Sequence, residues 1–214
     1  MTEAEWLTGE DPRPLLEAHH RALTPRKARL FAVACCHLVS PLFSSPVVAE
    51  GLEVAERYAE GVATNEERAA AFRRVVEATR LSVPERDAGG LAGAAVRLAL
   101  ATPDMPVPRQ TKAPYAYLGV LKANPASRPT VLAIFRCVVG NPFRPVPFDP
   151  RWLTPTALTL AHGMYESRDF TPMPVLADAL EEAGCEDAGV LTHCRGDGPH
   201  ARGCWVVDLI LGKG

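Results

Sequence analysis

The chain has 214 residues, 47% of them hydrophobic and 22% charged, with a formal net charge of −2 and a pI of about 6.3. That balance excludes an intrinsically disordered chain and gives non-specific nucleic-acid binding no electrostatic support. No apolar run approaches the ~18 residues needed to span a bilayer, and a chain of this size does not need its cysteines as disulfide staples.

The opening segment, MTEAEWLTGEDPRP, is acidic and polar, the wrong chemistry for a secretory signal, so a cytoplasmic location is expected. In LTPRKARLFAVACCHLVSPLF, Thr24 is placed to cap a helix and Pro25 to occupy its first position. Leu30, Ala34 and Leu38, with Phe31 and Cys35, make an apolar stripe at helical spacing, which Pro41 ends. Consecutive Cys35, Cys36 and His37 point about 100° apart on a helix and do not converge, so they read as core. Val48, Leu52, Ala55 and Ala59 repeat the stripe. Thr64 and Glu67 have the capping-box spacing and open a helix with Phe72, Val75, Val76 and Ala78 on its core face. The segment DAGGLAGAAVRLALA is rich in small residues and permits close helix packing, although Gly89, Gly90 and Gly93 weaken it in isolation.

Pro103, Pro106, Pro108 and Pro114 break this pattern, and a Pro-rich linker is expected over 102–114. A helix follows over about residues 129–139, capped by Ser127 and closed by Gly140-Asn141-Pro142. In the second Pro-rich connection, NPFRPVPFDPRWLTP, the residues Phe143, Phe148 and Trp152 read as anchors into the core. Thr154 caps and Pro155 starts the next helix, another runs from about Pro172 to Gly184, and a short one stops at Gly196. The apolar run Cys204–Leu211 fits a helix or a buried strand, and helix is chosen because no convincing partner strand exists. The expected fold is all-α: a helical region over 1–101, the linker, and a helical region over 115–214 with a Gly/His/Cys loop.

Two stretches, GNPFRPVPFDPRWLTPT and PMPVLADALEEAGCEDAGVLTHCRGDGPHARGCWVVDLILGKG, resemble a large bacterial paralogous family of uncharacterised proteins. Its tail is of the type LADALE-AGC followed by HCRG-x-G-x-H-x-RGCWVVDLLLGK. The match is dense over about residues 135–214, and MTEAEWL, RKARLFAVACC and VAERYAEG resemble the family's beginning. The family often has Arg-Arg after Cys-Cys, where this chain has His37-Leu38, and an Ala-rich helical middle, where this chain is Pro-rich. The resemblance implies a lineage-expanded cytosolic family and no particular activity.

The chemistry of the tail centres on HCRGDGPHARGC. His193, Cys194, His200 and Cys204 offer imidazole nitrogens and thiolates, the donors zinc prefers in tetrahedral sites. The ligand set read from these residues is His193 or Cys194 with His200 and Cys204, completed by Cys185. No Cys-x-x-Cys is present, and adjacent His193 and Cys194 are awkward joint ligands. The bland alternative is a glycine-rich turn, with Gly196, Gly198 and Gly203, over cysteines that act as small buried hydrophobes. Arg195 and Arg202 flank the loop, and Asp208 lies inside an apolar run, where a lone carboxylate is costly. Pairing of Asp208 with Arg202 or Arg195 is therefore expected; an anion site built from both guanidiniums is the functional alternative. A thiol enzyme would use Cys194 or Cys204 with His193 or His200, oriented by Asp208 or Asp197. No phosphate-binding glycine loop and no basic, aromatic stripe is present. The reading that follows is a non-catalytic interaction or scaffold module with a protein partner and no required cofactor. The alternatives are a zinc-supported or cysteine-dependent enzyme using the His193–Cys204 loop, and an anion-binding module.

Overall fold

The structure, a computed structural model, describes residues 1–19, 23–43, 45–80, 88–101 and 115–213. Twelve α-helices and no strand occur among the described residues, so the fold is all-α. No helix there is long and apolar enough to cross a membrane. The expected linker over 102–114 lies outside the described residues. Contacts divide the chain into one unit of Glu10–Leu132 and another of Met1–Gly9 with Ala133–Gly214. This differs from a division into 1–101 and 115–214: residues 115–132 belong with the first unit, and the extreme N-terminus belongs with the second.

The first unit holds α2 (Pro12–His19), α3 (Pro25–His37), α4 (Pro46–Ala59), α5 (Asn65–Arg80), α6 (Ala88–Leu100) and α7 (Ala116–Ala123). Local caps start these helices as the sequence indicates. Thr24 accepts from the Lys27 amide at 3.2 Å, with Pro25 in the first turn. Thr64 and Glu67 exchange bonds of 2.7 and 3.2 Å in a complete capping box. Helix α3 ends at His37, before Pro41, which sits in a 3₁₀ turn over Ser40–Leu42.

The carboxyl end of α6 is held by two buried guanidiniums. Arg29, only 4% exposed, donates to the carbonyls of Ala99 and Ala101, and Arg68 donates to Leu100 at 2.8 Å. Both cations lie over the ring of Tyr58, at 4.9 and 5.4 Å from its centre. They answer carbonyls that a helix end leaves without intrahelical partners. Burial lowers the Arg29 pKa to about 10, so the group remains a cation at neutral pH.

The second unit contains α1 (Glu3–Thr8), the carboxyl part of α8 (Arg128–Val139), α9 (Pro155–Ser167), α10 (Met173–Glu182), α11 (Ala188–Arg195) and α12 (Trp205–Leu211). Thr2 and Glu5 form a capping box on α1, and Arg136 of α8 donates to the carbonyls of Trp6 and Gly9. Trp6 also packs on Phe135, with ring centres 5.5 Å apart. Thr154 caps α9 and Asp187 caps α11. The run after Cys204 is helix, as chosen over strand. One expectation needs correction: Trp152 alone of the three aromatic anchors is buried, whereas Phe143 and Phe148 are exposed. Phe148 sits edge-on against Trp152 at 6.3 Å, so the Pro-rich turn places one ring inside and one outside.

Two glycines within helices make opposite predictions. A Cβ on Gly51 of α4 would come within 2.5 Å of a Val75 methyl, whereas one on Gly163 of α9 would meet nothing within 4 Å. Gly51→Val should destabilise by about 1–3 kcal/mol through overpacking. Gly163→Ala should stabilise by up to about 1 kcal/mol through helix propensity. Urea unfolding of both variants checks the contrast.

Candidate metal centre

Four side chains of the second unit converge on one point: Cys137, His193, His200 and Cys204. Each comes from a separately built element. Cys137 lies in the last turn of α8, whose end is turned by Gly140 at φ +75°. A Cβ there would stand 3.1 Å from the Trp205 ring, so glycine serves both the left-handed backbone and the close approach of α12. His193 sits in the last turn of α11, its ring 5.4 Å from that of Trp205. His200 follows a tight turn in which Gly198 has φ +74° and the Gly198–Pro199 bond is cis. Cys204 directly precedes α12; its amide donates to the Ala201 carbonyl, and its carbonyl accepts from the Asp208 amide.

His193 Nε2 is 3.2 Å from Cys204 Sγ, and Cys137 Sγ is 3.6 Å from His200 Nδ1. One ligand atom from each residue fits within 4.8 Å of all the others. Zinc–sulfur bonds of about 2.3 Å and zinc–nitrogen bonds of about 2.0–2.1 Å place tetrahedral ligands about 3.3–3.8 Å apart. The observed separations approach that geometry and require only small side-chain adjustments. The two imidazoles meet edge to face at 4.8 Å, and the buried Nε2 of His200 has no hydrogen-bond partner among the described residues. Both sulfurs are buried and both histidines half-buried. The donor set fits zinc in chemistry and in number.

The sulfur pair shares its proton unequally. Burial opposes ionisation of Cys204, but bonds from the Cys137 thiol, His193 and His200 together hold Cys204 well below the usual thiol range. Cys137, which donates to that sulfur and is itself buried, is pushed well above it. Asp208 is 3% exposed, and its charge adds to the forces keeping Cys137 protonated.

The structure brings three of the five sequence-nominated metal ligands together: His193, His200 and Cys204. Cys194 faces the apolar core, where burial raises its pKa, because the next residue on a helix points about 100° away from His193. Cys185 is also buried in that core. The fourth position belongs to Cys137, which sequence reasoning missed. It appears in the sequence only as an apolar-stripe cysteine in AIFRCVV, with no spacing signal to the tail.

The two loop arginines have separate engagements. Arg195 donates to Asp178 and Glu181 at 2.8 and 2.7 Å on the surface. Arg202 donates to the carbonyls of Tyr165 and Glu166 at the end of α9, with its guanidinium 5.3 Å from the Tyr165 ring centre. Asp208 is buried in α12, where its backbone amide donates to the Cys204 carbonyl at 2.8 Å. For a thiol enzyme, the His193–Cys204 contact is short enough, but Cys204 is fully buried. A surface groove is lined by Pro147, Phe148, Asp149, Pro150, Trp152 and Asp187, none of them among the four converging residues. Comparison of the chain with protein-family models, curated proteins and solved structures finds no match.

The lowered Cys204 pKa has a definite sign in stability. In metal-free protein the folded state ionises Cys204 more readily than the unfolded state does. Its stabilising contribution is therefore fully present above the ordinary thiol pKa and is lost as pH falls through the lowered folded value. In chelator, the stability difference between wild type and Cys204→Ala should shrink on acidification, and urea unfolding over a pH series measures it.

Proposed function

We propose that this protein is a zinc-supported helical module whose work is interaction or scaffolding rather than catalysis. The observation that carries the reading is the convergence of two thiols and two imidazoles within 4.8 Å from α8, α11, the following loop and the start of α12. Four protein ligands with buried sulfurs suit a closed structural site; a catalytic zinc keeps a position open for water. Cys2His2 donors favour zinc over the oxygen-seeking calcium and magnesium. Such a metal would fasten the short helices α11 and α12 onto α8, and metal binding would then be part of the folding free energy.

A reducing, cytoplasmic setting goes with this reading, because it keeps all six cysteines available as thiols. So does membership of the bacterial paralogous family that the tail resembles. The partner class is protein, and the exposed Phe143, Phe148 and Leu153 offer the apolar surface on which contact would be sought.

Elemental analysis of the purified protein tests the proposal. Stoichiometric zinc is expected, lost on Cys137→Ala or His200→Ala and retained on Cys194→Ala or Cys185→Ala. Free zinc at 100 times its dissociation constant should stabilise the fold by about 2.7 kcal/mol. Protein without stoichiometric metal, or a metal lost on Cys194→Ala and kept on Cys137→Ala, overturns the reading.

A further inference from the structure

We propose that Cys137 and Cys204 are an alternative disulfide pair, so that a peroxide can oxidise them and expel the metal from the centre. The inference rests on the zinc reading and names the regulation of that same site. Its basis is geometric. The two sulfurs lie within 4.8 Å of each other and come from different elements, α8 and the residue that opens α12. Two sulfurs on one tetrahedral zinc stand about 3.8 Å apart, whereas a disulfide brings them to about 2.05 Å. The same atoms therefore cannot do both. Gly203, with φ +88°, forms the turn immediately before Cys204 and gives that cysteine a backbone joint independent of α8.

Burial of the sulfurs favours a small oxidant. Both sulfurs are buried, but His193 and His200 are half-buried and form the more open side of the cluster. Cys137 is 2% and Cys204 0% exposed, so even a molecule as small as hydrogen peroxide would need the half-buried histidine rings to shift, and a bulky disulfide oxidant is shut out. Selectivity follows from position. Cys194 and Cys185 lie in the same apolar core, yet neither belongs to the converging set.

The reaction balances with peroxide as the oxidant. One thiolate attacks a peroxide oxygen, the O–O bond breaks, and a sulfenic acid and hydroxide result. The second thiolate then displaces hydroxide from the sulfenic sulfur and closes the S–S bond. The two sulfurs together lose two electrons, the two oxygens of the peroxide gain them, and two protons from solvent complete two waters. The zinc ion, left with two imidazoles, departs to solvent. A dithiol reductant reverses the sulfur chemistry and reopens the site.

The test uses the full-length wild-type protein. Its metal content is measured first; hydrogen peroxide is then added stepwise, with zinc release followed by a chromogenic chelator and linkages mapped by peptide mass spectrometry. The expected result is stoichiometric zinc release in step with a Cys137–Cys204 linkage, both reversed by dithiothreitol and added zinc. Zinc retained while peroxide consumes other thiols overturns the exchange. So does zinc released with a Cys194–Cys204 linkage, or with Cys204 carried to the sulfinic acid. Protein that holds no metal before peroxide is added overturns the parent reading and the exchange with it, whereas metal present without the linkage overturns the exchange alone.

Discussion

A thiol buried away from water ionises more readily only where its neighbours compensate for the lost solvent, and in the second unit the groups that do this for Cys204 come from three separate elements. Burial alone would keep that thiol protonated. The Cys137 thiol and the rings of His193 and His200 reverse the balance, and they reach Cys204 from α8, from α11 and from the loop between α11 and α12. The cluster thus adds polar contacts between elements that already share one hydrophobic core. Helices as short as α11 and α12 are marginal alone and depend on tertiary contacts for their stability. The Gly140 turn against Trp205 and the Gly198 and Gly203 turns set the backbone so that the four donors meet. A metal ion would use the same convergence more fully, since it can satisfy both sulfurs without sharing a proton between them.

A second theme recurs within each unit: arginine closes helix ends. In the first, Arg29 and Arg68 take the carbonyls at the end of α6. In the second, Arg136 takes those of Trp6 and Gly9 around the end of α1, and Arg202 takes those of Tyr165 and Glu166 in the last turn of α9. A guanidinium offers five N–H donors in a fixed fork, so one side chain can satisfy two or more orphan carbonyls. Aromatic faces complete the arrangement, with Tyr58 under Arg29 and Arg68 and Tyr165 under Arg202. Arg202 therefore helps shape the fold at α9, a role that its position between two glycine-rich turns did not suggest.

Much of the architecture was legible in the chain itself. Thr24-Pro25, Thr64 with Glu67 and Thr154-Pro155 mark helix starts because a hydroxyl capping an amide three residues on is a local event. Apolar periodicity gave the helical class, and the absence of a partner strand rightly decided Cys204–Leu211 in favour of helix. Within the site, His193, His200 and Cys204 were visible because one short stretch of sequence holds all three. Cys194 and Cys185 were nominated on residue type alone, and direction on a helix removed them from the cluster.

Sequence by itself therefore determined the elements, their caps and three of the four donors, because each depends on residues within a turn or two of one another. Tertiary structure decided the fourth donor, the partners of the arginines and the grouping of the N-terminal segment with the C-terminal unit. Cys137 lies 63 residues before His200, and no local pattern encodes a meeting across that distance. Only the packing of α8 against the tail helices brings its sulfur to the imidazoles, for contacts made in space leave no periodic trace along the chain.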